Sequence, residues 1–429
     1  METHNPGQTS VTERLRLAAL DGVHLMDTPP EERFDRITRL ARQIFDVPIA
    51  QINLIGEFEQ YTKTTVPEGI PARRSTNDTF CSVTIQTPGL LVVPDATKDA
   101  RFDERESVTG PHHIRFYAGR PLSLGDDLRI GTLCLGDIKP RDLTAEELAV
   151  LDEMGTWVER ELRDSRDPDG EAGTDASGAS IPNLRTTTPS PATPAPTEGI
   201  ARPAAPTHAP LLSPSALNIA TPTFSVAAAS VPMRKIGSDF FAWREIDGVV
   251  EMTVADVMGK GAVAAAIAST VRDTLQKSAG ADVGETLANA NADLARDLKL
   301  AGIFATLFHA RMDVATGIVE YADAGHGLTL IVRSGGAVER LESSGFPLGL
   351  LPRGTWTVRT TILQEGDVLV SFTDGVLGLF DGTISSLPKV VELVRASSDT
   401  RDIVDRVVAL NAHQRGGDDV TIIAMSRTE

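Results

Sequence analysis

Residues 249–261 read VVEMTVADVMGKG. Val250, Met252 and Val254 recur at every second position, the period of a strand with one buried face. The run ends on Asp256, and Gly259 and Gly261 behind it let the backbone pass close to a bound group. The segment therefore predicts a strand that delivers a carboxylate to the rim of a sheet. A helix is expected next, from Ala262 to about Lys277, whose alanines, with Val271 and Leu275, lie flat on that sheet.

Working outward, RKIGSDFFAWREIDG (234–248) supplies a partner strand that turns at Asp247 and Gly248, a hairpin signal. ATLFHARMDVATGIVEYADAGH (305–326) repeats the pattern around Thr316 and Gly317. TFSVAAAS, GDVLVSFTDG and DDVTIIAM add further strands, which suggests sheet packed on sheet with helices outside. Asp239, Asp256, Asp374 and Asp418 each border one of these apolar runs, so folding can gather them at the ends of neighbouring strands. Taken singly, an aspartate beside glycine is first of all a turn residue. Gathered together, such carboxylates need cations.

The chain has 429 residues, enough for two or three domains. Its formal net charge of -18 and the lack of a Lys/Arg cluster argue against nucleic acid as a partner. Cys81 and Cys134 are the only cysteines, which excludes a disulfide scaffold and a zinc-ligand spacing and suits a reducing cytoplasm. METHNPGQTSVTERLR has no apolar core for a signal peptide, and no stretch is continuously apolar over the roughly 18 residues of a membrane span. A cytoplasmic protein without a membrane partner is expected.

Residues 166–214 are rich in Pro, Thr, Ala and Gly and poor in large apolar side chains, and are read as a disordered linker. Residues 1–10 are read as a disordered N-terminus. Between them, ERFDRITRLARQIF (32–45) places Phe34, Ile37, Leu40, Ala41 and Ile44 on one helical face. PIAQINLI, LLVVPDA, RFYAGRPLSL and RIGTLCLGDI read as strands, and Thr144 with Glu147 forms a capping-box pattern opening a closing helix. On DTPPEERFDRIT, TFCSV, VVPDATKDARF, RFYAGRPL and GTLCLGD, residues 11–165 resemble the GAF family of small-molecule sensor domains. The resemblance implies a sheet with flanking helices and leaves open an unknown ligand or a homodimer contact. Cys81, Cys134 and the adjacent His112 and His113 read as structural residues more readily than as redox, chromophore or metal sites.

After the linker, KIGSDFF, ADVMGKG, FATLFHARMDVATGIVEYADAGH, SGFPLGL, QEGDVLVSFTDGV and GDDVTIIAM follow one another in the order of a known family. Residues 215–429 thereby resemble the SpoIIE/RsbU-type branch of the metal-dependent protein phosphatases (PPM, protein phosphatase 2C-like). The whole chain is then α+β: a GAF-like domain, a linker, and a PPM-type β-sandwich flanked by helices. The resemblance implies two divalent cations, Mn²⁺ or Mg²⁺, bridged by Asp256, with the Val257 carbonyl, Asp239, Asp374 and Asp418 completing their shell. Asp419 stands where many relatives have Asn and is read as a neighbour. Asp256 and Asp374 would act through a metal-bound water, with no covalent phosphoenzyme.

The resemblance further implies hydrolysis of phosphoserine or phosphothreonine on a partner protein, with a phosphorylated anti-sigma-factor antagonist as the implied substrate. Two alternatives remain at this stage, a non-catalytic sensor or scaffold and a metal-dependent hydrolase of small phosphoesters. His326 reads as a hydrogen-bonding residue rather than a general acid, and Lys260 as a phosphate ligand or a solvated side chain. Ala242, Ser238, the LGL after TDGV, and Asp323 in place of Asn depart from the family pattern. The helix with a Gln-rich, LLP-like signature that usually precedes the phosphatase sheet is missing, and THAPLLSPSALN stands there instead. Regulation is therefore expected through dimerisation or direct docking of the GAF-like domain, with the linker setting its effective concentration.

Overall fold

The computed structural model describes residues 11–66, 71–125, 128–166, 216–233, 237–258, 262–278, 281–301, 304–343, 345–351, 353–414 and 418–428. Residues 1–10, nearly all of the expected linker and residues 259–261 with Lys260 lie outside the described residues. Among the described residues no helix is long and apolar enough to cross a membrane.

The N-terminal part begins with α1 (Val11–Asp21) and α2 (Glu32–Phe45), followed by β1 (Ile49–Ile55), β2 (Glu59–Thr62) and β3 (Arg73–Ser75). Short helices α3 (Phe80–Thr84) and α4 (Glu106–Thr109) flank β4 (Leu91–Val93), and β5 (Phe116–Ser123), β6 (Arg129–Asp137) and α5 (Ala145–Arg166) close it. The strands make one sheet in the order β3-β2-β1-β6-β5-β4. α2 has the bounds its apolar spacing predicts, with Phe34, Ile37, Leu40 and Ala41 buried against the sheet. α5 opens on the expected capping box: the Thr144 N–H donates to Glu147 Oε2 at 2.7 Å and the Glu147 N–H to Thr144 Oγ1 at 3.2 Å. His112 and His113 lie outside the strands. They sit in the turn before β5, with His113 at φ 48°, because Gly110 and Pro111 end the preceding helix.

The C-terminal part contains β7 (Ala216–Ala220), β8 (Phe224–Val231), β9 (Phe240–Ile246), β10 (Val249–Val257), α6 (Ala262–Lys277), α7 (Val283–Ala301), β11 (Ala305–Asp313) and β12 (Ile318–Ala324). Then come β13 (Thr329–Val332), β14 (Val338–Leu341), β15 (Arg359–Ile362), β16 (Val368–Phe372), α8 (Asp374–Gly378), α9 (Leu387–Arg395), α10 (Thr400–Gln414) and β17 (Val420–Arg427). Two sheets result, β15-β12-β11-β10-β9 and β14-β13-β16-β17-β8-β7. Phe224, Phe241, Val250, Met252, Val254, Phe308, Ile423 and Met425 fill the space between them. α6 and α7 cover the outer face of the first sheet, and α9 and α10 that of the second, so the order is helix, sheet, sheet, helix.

The β9–β10 hairpin turns on Asp247 and Gly248, both left-handed at φ 51° and 79°, the conformation a two-residue hairpin of the right twist requires. Several elements carry no assignment from sequence, among them β7, β13, β14, β15, α7, α9 and α10. β7 follows a proline-rich run and pairs as an edge strand with β8, and α7 was not assigned although Val283, Leu287, Ala290 and Leu294 bury one face.

His309 on β11 is fully buried, with Nδ1 at 2.9 Å from Thr253 Oγ1, and burial pushes its imidazole down to about 4. Between the ordinary value of 6.5 and about 4 the unfolded chain binds a proton that the folded chain refuses, so acidification removes stability in that window. His309→Asn keeps an amide for Thr253 and removes the titration. The stability lost between pH 7.5 and pH 4.5 in urea unfolding should shrink by roughly 2–3 kcal/mol relative to the parent chain.

Candidate metal centre

Strand register explains how four distant aspartates meet. Asp256 lies on the same face of β10 as Val250, Met252 and Val254, so it points into the end of the space between the sheets. Phe240 pairs with Ala255, which sets Asp239 beside Asp256. In the second sheet Phe372 pairs with Ile422, so the exit of β16 and the entry of β17 lie together and bring Asp374 next to Asp418. Val257 ends β10 as a buried residue paired with Ala305. Thr373 ties this corner together, its N–H donating to the Thr421 carbonyl at 2.9 Å and its Oγ1 accepting from the Thr421 N–H at 3.1 Å. Gly375 has to be glycine, because a Cβ there would stand 1.9 Å from the Asp419 carbonyl oxygen.

The two adjacent aspartates do different work. Asp419 Oδ1 accepts from the Met233 N–H at 2.8 Å, and its Oδ2 accepts from the Ser238 N–H at 2.7 Å and from Ser238 Oγ at 3.1 Å. Its carboxylate thus fastens the segment that carries Asp239. Asp418 Oδ1 accepts from the Asp419 N–H at 3.0 Å, and its charge acts on both Asp239 and Asp374.

The carboxylates press on one another. Burial raises the Asp239 carboxyl well above its ordinary range, and the charges of Asp256 and Asp419 add to this. Burial takes Asp374 up to about 8 against the pull of Arg36, with Asp256 and Asp418 raising it further. Asp256 is lowered instead: burial pushes it up, but Arg36 and a hydrogen bond with Asp239 outweigh that. His326 reaches the same corner, buried, with Nε2 at 3.3 Å from Ser371 Oγ and pushed down to about 4 by burial, so it is neutral at pH 7. Asp323 accepts the His326 N–H at 2.7 Å and the Gly327 N–H at 2.8 Å, holding that loop in place.

An oxygen-only donor set that repels itself fits hard divalent cations such as Mg²⁺ or Mn²⁺. Yet among the described residues no three acidic, His or Cys side chains stand close enough to hold an ion as they are arranged. A cation of the chain's own is wedged there instead. Arg36 of α2 reaches across from the N-terminal part, pairs with Asp256, and lies 3.3 Å from Asp374 Oδ2. The sequence reading passed over Arg36, since the polar face of an amphipathic helix does not say whether water or another domain will meet it.

The N-terminal part also lines most of a partly open cavity of ≈ 440 Å³, bordered by Asp35, Thr38, Arg39 and Arg42 of α2, by Tyr117 and by Ile384 of the C-terminal part. Buried Cys81 and Cys134 border it too and share the Asn53 amide, which donates to their sulfurs at 3.4 and 3.2 Å.

Comparison with known proteins matches the family described as Stage II sporulation protein E (SpoIIE) to residues 246–428 and the GAF domain to residues 29–162. The chain thus carries a GAF domain followed by a SpoIIE-type domain. Phosphoserine phosphatase RsbU of Bacillus subtilis is 27% identical over 215 residues, 47% of this chain and 63% of that protein. Cyclic di-GMP phosphodiesterase PA2567 of Pseudomonas aeruginosa is 34% identical over 148 residues, 34% of this chain and 25% of that protein. The chain therefore spans less than two thirds of the length of these relatives. Among solved structures, the RsbU and RsbW domains of Rv1364c from Mycobacterium tuberculosis are 27% identical, with a TM-score of 0.43 over 50% of this chain and 62% of that one.

Proposed function

We propose that this protein is a metal-dependent protein serine/threonine phosphatase under the control of its GAF domain, with a phosphorylated anti-sigma-factor antagonist as substrate. The observation that carries the reading is the convergence of Asp239, Asp256, Asp374 and Asp418 at one end of the sandwich in a SpoIIE-type domain. Two divalent ions bound there would supply an activated water and neutralise charge on the phosphoryl oxygens. Asp256 would be the carboxylate shared by the two ions, and Asp239, Asp374 and Asp418 would hold them with it. Val257 offers a backbone carbonyl at the same strand end. Neutral His326 and Asp323 act as positioning residues, fixing the loop beside Ser371 rather than moving a proton. The likeness to a protein named phosphoserine phosphatase favours a phosphoserine group as the one hydrolysed. A cytoplasmic location suits such a substrate.

The test uses the full chain with p-nitrophenyl phosphate, a phosphoserine protein and a nucleotide, each with Mn²⁺ and with EDTA. Turnover that needs Mn²⁺ and favours the phosphoprotein is expected. Equal turnover in EDTA rejects the metal dependence, none under any condition rejects the enzyme reading, and a preference for the nucleotide rejects the protein substrate.

A further inference from the structure

Helix α2 presents three faces. Phe34, Ile37 and Ala41 enter the core of the GAF domain, and Asp35, Thr38, Arg39 and Arg42 border the cavity. Arg36 occupies the third face, turned toward the SpoIIE-type domain. Its guanidinium is met by Asp256, by Asp374 at 3.3 Å and by Glu161 of α5 at 3.2 Å, and it stacks on the Trp157 ring at 5.4 Å. Burial alone would lower its proton affinity, but the three carboxylates raise it well above its ordinary value, so it is a fixed positive charge.

The surroundings of Arg36 form an interface. Trp157 meets Phe304 of the SpoIIE-type domain edge-on at 6.0 Å, and the Glu32 N–H donates to the Gly382 carbonyl at 2.7 Å. One buried apolar cluster runs without a break from Met154, Trp157 and Leu162 into Phe304, Leu348 and Leu350. A buried guanidinium is tolerated only where carboxylates surround it, and the acidic corner supplies two of the three.

We propose that the acidic centre is the docking site of the chain's own GAF domain, with Arg36 seated as a competing cation, so that GAF docking and divalent-ion loading exclude one another. The inference rests on the metal-dependent reading above and adds how the site is switched. Arg36 engages oxygens of Asp256 and Asp374 that the ions require, and one delocalised charge cannot replace two divalent ones. Because α2 also walls the cavity, a group bound there acts on the helix that bears Arg36.

Mn²⁺ binding by the full chain, followed by the electron-paramagnetic resonance of free Mn²⁺, tests this in wild type and Arg36→Met, which keeps the packing stem and removes the charge. If the docked form holds nine chains in ten, the variant binds up to about tenfold more tightly. In wild type, ion binding should also separate the domains and enlarge the radius of gyration measured by solution scattering. That second measurement decides the matter if Arg36→Met fails to fold. Equal affinities in the two proteins, or a constant radius as wild type takes up ions, overturn the plug while leaving the metal centre standing. No Mn²⁺ bound by any folded form rejects the metal reading, and the plug with it.

Discussion

Asp256→Asn should lower phosphoprotein hydrolysis by at least about 10³-fold, in the wild-type chain and in the Arg36→Met background alike. The substitution keeps the shape of the side chain and removes one charge, so β10 still delivers an oxygen to the same corner. What is lost is the carboxylate between Asp239 and Asp374, and an amide cannot bridge two cations. Initial rates at saturating Mn²⁺ read the effect directly. In wild type the change also leaves Arg36 with Asp374 and Glu161 only, so the double comparison separates loss of metal chemistry from loss of the interdomain pair. A rate within tenfold of the parent in the Arg36→Met background would remove Asp256 from the centre.

The second large effect divides Asp418 from Asp419. Asp419→Ala leaves the Met233 and Ser238 N–H groups without their acceptor. Stranded donors of this kind, together with the lost charge-assisted bonds, cost about 3–5 kcal/mol, a fall in Tm on the order of 10 °C for a domain of this size. Asp418→Asn retains an oxygen for the Asp419 N–H and should leave Tm within about 2 °C, while weakening Mn²⁺ at least about tenfold in the Arg36→Met background. Thermal unfolding and Mn²⁺ titration on the same samples give both numbers. The reverse pattern, a thermal loss at Asp418 and a metal loss at Asp419, would exchange their roles.

Much of the architecture could be read from periodicity and turn chemistry. The apolar positions of α2, the capping box at Thr144 and Glu147, and the Asp247-Gly248 hairpin are local signals, and local physics decided them. α7 shows where that stops: its inner face includes Ala290 and a buried Asn291, which donates its amide to the Leu351 carbonyl at 2.9 Å, so its hydrophobic stripe is thin. β7 was hidden by the prolines before it, and its pairing with β8 is a long-range fact. In the centre, sequence singled out the acids because each sits at the end of an apolar run. Nothing in it marks Arg36, whose partner Asp256 lies 220 residues away in another domain.

In the proposed enzyme these aspartates hold two divalent ions side by side. Low-temperature electron-paramagnetic resonance of Mn²⁺-loaded Arg36→Met tests it most directly, because two Mn²⁺ ions ~4 Å apart and sharing a carboxylate are exchange-coupled. The account predicts a coupled two-manganese spectrum that reverts to isolated-ion lines, or disappears, in Arg36→Met/Asp256→Asn. Isolated Mn²⁺ lines at every loading, unchanged by Asp256→Asn, would contradict it.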